Sequence, residues 1–284
     1  MGATRLVESR SLLKDRPIIR LPFRSLMALV WIAVASVSFA WVDVTQVEDF
    51  RAHFVQEVTA RVEVPIPAQL AYAERLDAEL ISAGVGLEKP QFVVLIDRNP
   101  SVQMVSLLLG QISNWHWVGA SRTSTGRPGG FEHFITPLGV FDHSLMNHDF
   151  RAEGTYNSQN IRGYGLRGMR VFDLGWVLAE RTWDRGGLSL MRLQMHATDP
   201  DVLEPRLGRP ASKGCIRIPA TLNTFIDRYG LLDEDYFRAE AQGRASWVLR
   251  SDRIPTPWPG RYVVVVDSES VARPAWAALP GHNE

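Results

Sequence analysis

Apolar positions fall into three regimes along this chain. Leu26 to Val42 is seventeen residues without a charge. Between Ala68 and Ser82, Leu70, Ala73, Leu76 and Leu80 recur at helical spacing, and Gly84, Gly86 and Pro90 stop the pattern. From Gln91 onward the period shortens. Phe92-Val93-Val94-Leu95-Ile96-Asp97 predicts a buried strand, Arg98-Asn99-Pro100-Ser101 a turn, Val102 to Leu107 the returning strand and Asn114 to Ser124 a third. Leu188, Leu190, Leu193 and Met195 alternate with one slip and predict a strand that ends at His196. Ile218 to Tyr229 predicts a helix: Pro219 suits its first turn, Leu222, Phe225, Ile226 and Tyr229 form its apolar face, and Gly230 stops it. Asp233 to Gly243 predicts another helix and Arg261 to Asp267 a buried strand closing the sheet. This density of strands and turns predicts a mainly β domain over residues 91–267, built as a meander rather than from βαβ units.

The N-terminal part is organised differently. Residues 1–25 are a basic leader, carrying Arg5, Arg10, Lys14, Arg16, Arg20 and Arg24 against Glu8 and Asp15. That charge placement predicts a cytoplasmic leader before a membrane segment at 26–42, with the remainder exported. Ser38-Phe39-Ala40 also has the form of a signal-peptide cleavage site, so both an anchor and a signal peptide remain open. Residues 43–90 predict helical pieces interrupted by Pro65-Ile66-Pro67; they form either a short helical stalk or an extra helix packed on the domain. Residues 268–284 read as a loose tail.

Composition narrows the function class. Lys plus Arg number 31 and Asp plus Glu 31, so the formal net charge is zero; with no basic stripe, nucleic acid is not the expected partner. Cys215 is the only cysteine among 284 residues, so no internal disulfide forms. In an exported chain a lone exposed thiol is a liability unless it is used. Gly214 before it permits a sharp turn, Lys213 and Arg217 supply positive potential, and the turn leads towards the helix over 218–229, whose N-terminus favours a thiolate. A cysteine nucleophile needs a base, and His196 at a strand end, with 15 residues between it and Ser212, is the candidate.

The sequence from His196 through Ser212-Lys213-Gly214-Cys215-Ile216-Arg217 resembles the signature of the L,D-transpeptidase catalytic domain family. Thr123-Ser124-Thr125-Gly126-Arg127-Pro128-Gly129 and Thr136-Pro137-Leu138-Gly139-Val140-Phe141 resemble that family's upstream segment, in the family's order. Lys213 stands where the family often has His. The resemblance covers roughly residues 91–267 and implies a β-sandwich-like fold with Cys215 and His196 at one rim. It also implies a peptidoglycan L,D-transpeptidase: Cys215 forms a thioester with a donor stem peptide, and an acceptor amine resolves it during cell-wall cross-linking or remodelling. Backbone N–H groups of Gly214 and Cys215 would hold the oxyanion, Ser212 would hydrogen-bond the turn, and Arg217 would orient the loop or a donor carboxylate, or act as an ion-pair partner. No cofactor is required. The expected location is the periplasmic or outer face of a bacterial inner membrane.

Residues 154–168 are rich in Gly, Tyr, Asn and Arg, a composition that suits either a binding surface for a polar peptide or a plain solvated loop. Tyr156, Arg162, Tyr164 and Arg167 are the candidate substrate contacts there. Other readings stay open: an L,D-carboxypeptidase or endopeptidase using the same pair, a metal-dependent hydrolase using His133, His143 and His148, or a non-catalytic wall-binding module. Those histidines match no ligand spacing with a recognised mechanism. A sortase also places His before Cys, but its Thr-Leu-x-Thr-Cys strand has no counterpart.

Overall fold

A computed structural model describes residues 42–244, 246–277 and 279. The leader and nearly all of the apolar segment 26–42 lie outside the described residues. Among those described, no helix is long and apolar enough to cross a membrane.

Among the described residues, two sheets and four α-helices make this a mixed α/β domain, where the strand pattern predicted a mainly β one. The first sheet contains β1 (Gln91–Asp97), β2 (Met104–Gln111), β3 (Asn114–Arg122), β4 (Gly139–Asp142) and β9 (Tyr262–Val266), in the order β3-β2-β1-β9-β4. The second contains β5 (Phe150–Arg151), β6 (Arg170–Glu180), β7 (Leu188–Ala197) and β8 (Ile216–Ile218), in that order. The antiparallel β1-β2-β3 meander is present, but β9 runs parallel to β1 and β8 parallel to β7. Parallel neighbours need long connections, and the 198–215 loop joining β7 to β8 is one. β9 sits inside its sheet, not at its edge.

The continuous apolar run in β1 follows from its being covered on both sides. Phe92, Val94 and Ile96 face a core shared with Phe172, Leu193, Met195 and Ile216 of the second sheet, while Val93 and Leu95 face outward onto a helix. That helix is α2 (Ile66–Ser82), which starts with Pro67 in its first turn and buries Tyr72, Leu76 and Leu80. Each such side chain contributes roughly 1.5–3 kcal/mol of transfer free energy. Leu70, expected on the apolar face, points to solvent. α1 (Val44–Glu57) is capped by the Asp43 carboxylate, which accepts from Thr45 N–H at 2.9 Å. Its Phe54 lies edge-on to Phe225 at 5.7 Å and rests on Gly119, where a Cβ would come within 2.3 Å of the ring. Residues 43–90 are therefore helices packed on the domain and not a free-standing stalk; their apolar faces have sheet to bury against.

α3 (Ala220–Tyr229) and α4 (Glu234–Ala241) follow β8. Beyond β9 the chain packs back instead of hanging loose: Ala277 is buried, and Arg273 donates to the carbonyls of Ala277, Pro100 and Gly208. Behind β5 and β6 lies a buried charge network. Arg170, fully buried, pairs with Asp149 at 2.6 Å and Asp233 at 2.7 Å. His143 bonds Asp149 through Nε2 and the Leu232 carbonyl through Nδ1.

Candidate active site

The site is assembled on the β7/β8 edge of the second sheet. Along β7, Leu193 and Met195 point into the core, so the even positions Arg192, Gln194 and His196 face the other side. The parallel register pairs Met195 with Ile216 and His196 with Arg217. Ile216 is buried in the core, so the alternation puts Cys215 and Arg217 on the side that carries Gln194 and His196.

The turn bearing Cys215 is held by the two upstream segments of the sequence pattern. Ala211 and Ser212 donate their N–H groups to the Thr125 carbonyl at 2.9 and 3.0 Å, Arg127 N–H donates to the Ser212 carbonyl at 3.0 Å, and Phe134 N–H donates to the Lys213 carbonyl at 3.1 Å. Thr136 Oγ1 donates to the Gly214 carbonyl at 2.6 Å and accepts from Gly126 N–H at 2.8 Å. Thr123 Oγ1 donates to the Arg217 carbonyl at 2.7 Å. Ser212 closes the turn from within: its hydroxyl donates to the Cys215 carbonyl at 2.6 Å and accepts from Gly214 N–H at 3.0 Å. Gly214 has φ +135°, and a Cβ there would lie 2.8 Å from Met191 Cε.

These contacts revise three expectations. Gly214 N–H is engaged by Ser212, which leaves the Cys215 N–H, without a hydrogen bond among the described residues, as the backbone donor at the turn. Cys215 leads into β8 and not a helix; the N-terminus of α3 is taken by Glu204, whose carboxylate accepts from Ala220 N–H at 2.9 Å. Lys213 is exposed and paired with Glu132 at 3.1 Å, so its charge is not directed at the thiol.

His196 is buried, with Nδ1 2.6 Å from the Ala197 carbonyl. A carbonyl only accepts, so Nδ1 carries the proton and Nε2 the lone pair. Burial, reinforced by the Arg217 charge, pushes the imidazole down to about 4, against the Ala197 bond. The thiol moves the other way: burial raises Cys215, partly offset by a Gln194 backbone N–H and by Arg217. Both groups are thus neutral at neutral pH, a general-base arrangement and not a thiolate–imidazolium pair. No hydrogen bond joins them; the thiol lies 3.8 Å from the Arg192 carbonyl.

Tyr164 stands beside both groups. Its ring meets the His196 ring edge-on at 4.7 Å, its hydroxyl donates to Gln194 Oε1 at 3.2 Å, and burial followed by the neighbouring Cys215 raises its phenol. Gln194 Nε2 in turn donates to Asp173 Oδ2 at 3.0 Å, which Arg192 Nε also reaches at 2.7 Å. Tyr164 was a candidate substrate contact and Thr136 part of the upstream segment, but Asp173 and Gln194, and the bonds that link Tyr164 to them and Thr136 to the turn, were not read from the sequence. The alternation of β7 put Gln194 on the face of His196 and was the signal available for it.

The other candidates lie elsewhere. Arg162 is spent on Asp199 and Asp201, at 3.5 and 3.0 Å, with its guanidinium 4.4 Å from the Tyr156 ring centroid, so it is not free for a substrate carboxylate. Tyr156 and Arg167 are exposed. The three histidines of the metal reading do not converge: His143 has both nitrogens engaged in the core, His133 Nδ1 lies 2.9 Å from the Arg127 carbonyl, and His148 is exposed. Among the described residues no group of three or more His, Cys, Asp or Glu side chains is placed to hold a metal ion.

Fold and site together define a two-sheet α/β domain with a half-buried cysteine on the turn into β8 and a neutral histidine on the neighbouring β7. No protein-family model matches the chain, and no curated protein sequence matches it. Among solved structures it is similar to a fused Zn-dependent amidase/peptidase/peptidoglycan-binding domain-containing protein of Clostridium acetobutylicum ATCC 824, with 12% identity over 74% of this chain and 66% of that one and a TM-score of 0.30. It is similar to Bd1075 of Bdellovibrio bacteriovorus (12% identity, 62% and 48% covered, TM-score 0.29). The helical cell shape determining protein Pgp2 of Campylobacter jejuni gives 13% identity, 72% and 58% covered, and a TM-score of 0.27. The chain spans between about half and two thirds of the length of these proteins. Likeness at this level does not define a shared fold, and the chemistry rests on the site's own residues.

Proposed function

We propose that the protein is a cysteine acyltransferase acting on peptidoglycan stem peptides, an L,D-transpeptidase, on the outer face of a bacterial membrane. The observation that carries this reading is the placement of His196 on the strand beside the turn that holds Cys215, with its Nδ1 bonded to the Ala197 carbonyl so that Nε2 carries the lone pair. His196 Nε2 takes the Sγ proton as the sulfur attacks the donor carbonyl, and the Cys215 N–H stabilises the oxyanion. Collapse of the tetrahedral adduct breaks the C–N bond, and the imidazolium returns its proton to the leaving amine, leaving a thioester. An acceptor amine, deprotonated by His196, then attacks the thioester and regenerates the thiol. Water in place of the amine gives the L,D-carboxypeptidase or endopeptidase outcome with the same pair. Tyr164 and Gln194 orient the imidazole face in both steps.

The test is incubation of purified protein with disaccharide-tetrapeptide muropeptides, with intact-mass analysis after exposure to a carbapenem as an acylating probe. Cross-linked dimers mean transfer and trimmed monomers hydrolysis; the Cys215→Ala variant should give neither and take up no adduct. An unmodified wild-type mass together with full turnover by Cys215→Ala would overturn the proposal.

A further inference from the structure

A second feature borders the site on the far side of Arg217: a cavity of about 380 Å³ between the 203–211 segment and the Ser124 end of the upstream segment. Four arginines line it, Arg127, Arg206, Arg209 and Arg217, and no Asp or Glu does. None of the four forms an ion pair with a carboxylate among the described residues, although nearly every other buried or half-buried arginine discussed above does. Inside the cavity the polar groups are also unspent. Ser124, 1% exposed, and Thr198, 0% exposed, each present a buried hydroxyl oxygen without a hydrogen-bond partner, and Arg217 Nε is buried and likewise unpartnered. Buried hydroxyl and guanidinium groups left unbonded cost free energy, so three together in one arginine-lined cavity point to an anionic ligand that satisfies them. Arg217 donates only a 3.3 Å bond to the Ala211 carbonyl, which leaves most of its fork for a planar oxyanion.

The cavity adjoins the chemistry through its lining residues. Arg217 is the register partner of His196 and follows Cys215 by two residues, Thr198 follows His196 by two, and Ser124 pairs with Arg217 through both backbone bonds, at 3.0 and 2.9 Å. We propose that this cavity is the specificity subsite of the enzyme and seats the free C-terminal carboxylate of the peptide substrate, with Arg217, Ser124 and Thr198 as its floor and Arg206 and Arg209 at its mouth. The proposal rests on the acyl-transfer reading for the identity of the substrate. A carboxylate, planar and singly charged, matches a guanidinium fork flanked by two hydroxyl donors. An exposed-rim arginine pair then adds attraction that salt screens.

Equilibrium binding tests this independently of turnover. The full chain carrying Cys215→Ala is titrated with N-acetyl-L-lysyl-D-alanine and with its C-terminal amide, followed by calorimetry. The acid should bind at least tenfold more tightly than the amide. In the Arg206→Ala/Arg209→Ala form of the same protein, whose exposed side chains are not needed for folding, that preference should fall at least fivefold. Ser124→Ala, which removes a buried hydroxyl without adding volume, should reduce it further. Equal affinity for acid and amide, or an acid preference unchanged by the arginine pair, would overturn the subsite. A missing adduct on Cys215 with the acid preference intact would instead refute the acyl-transfer reading alone.

Discussion

The Thr136 hydroxyl donates to the Gly214 carbonyl at 2.6 Å and at the same time accepts from Gly126 N–H, so one buried oxygen ties the upstream segment to the turn that carries the cysteine. Thr136→Val keeps the volume and removes both bonds, leaving a buried carbonyl and a buried N–H unsatisfied. We expect a stability loss of about 2–4 kcal/mol in urea unfolding and, on the proposed mechanism, a kcat reduced at least tenfold, because the displaced turn carries Cys215. Thr136→Ser should restore most of both.

Gly214 is held at φ +135° with Met191 and Phe134 against its α-carbon. Gly214→Ala should cost roughly 1–3 kcal/mol of backbone strain and about a hundredfold in kcat. Shortening the neighbour in Met191→Ala relieves the crowding but not the dihedral, so the double variant should recover only part of the activity.

His196 titrates from an ordinary 6.5 down to about 4 on folding. The unfolded chain therefore binds this proton first as pH falls. Stability held by the neutral imidazole is complete above about pH 6.5 and is lost as the pH drops towards 4, by about 2–3 kcal/mol at pH 4.5. Denaturant unfolding of wild type and His196→Gln at pH 7.5 and 4.5 checks the sign: the wild type should lose more over this interval than the variant, by that amount.

Burial raises the Cys215 thiol above its ordinary value. Alkylation by iodoacetamide, which reads the thiolate, should rise about tenfold per unit from pH 7 to 9 with no plateau below 9. A plateau between pH 5 and 8 would show a thiolate–imidazolium pair and remove His196 as a general base.

Arg170 lies fully buried against Asp149, Asp227 and Asp233. Arg170→Met removes a charge shared by three buried carboxylates, of which Asp227 keeps Arg151 and Asp149 keeps His143 while Asp233 loses its ion-pair partner, and should destabilise the fold by about 3–5 kcal/mol, visible as a loss of several degrees in Tm. The same substitution accompanied by Asp149→Asn and Asp233→Asn should recover part of that loss.

Strand content was legible where one period held. The β1-β2-β3 meander, the strand ending at His196, the helix after the cysteine and the final apolar strand are all present in the alternation. β6 was not, because Arg170, Asp173 and Gly175 interrupt its apolar face. Those residues serve the buried charge network and a break in register between Asp173 and Trp176, and a pattern of hydrophobicity contains neither. Parallel pairing of β8 and β9 was equally invisible, since a three-residue strand and a C-terminal run say nothing of their neighbours. For the site, residue types placed Cys215 and His196 in one argument. The partners of Lys213, Arg162 and Gly214 N–H depended on contacts across 81 residues of chain or across 37 and 39, or on a hydroxyl two positions away whose rotamer no sequence specifies.

Because β9 lies between β1 and β4, the first sheet is completed only by residues made after every other described strand. A nascent chain that has reached only Gly260 presents β1 with one flank unpaired and β4 with no neighbour at all. The domain therefore closes only once Tyr262–Val266 has been made, and a chain stopped anywhere before Tyr262 keeps an open, aggregation-prone edge on β1.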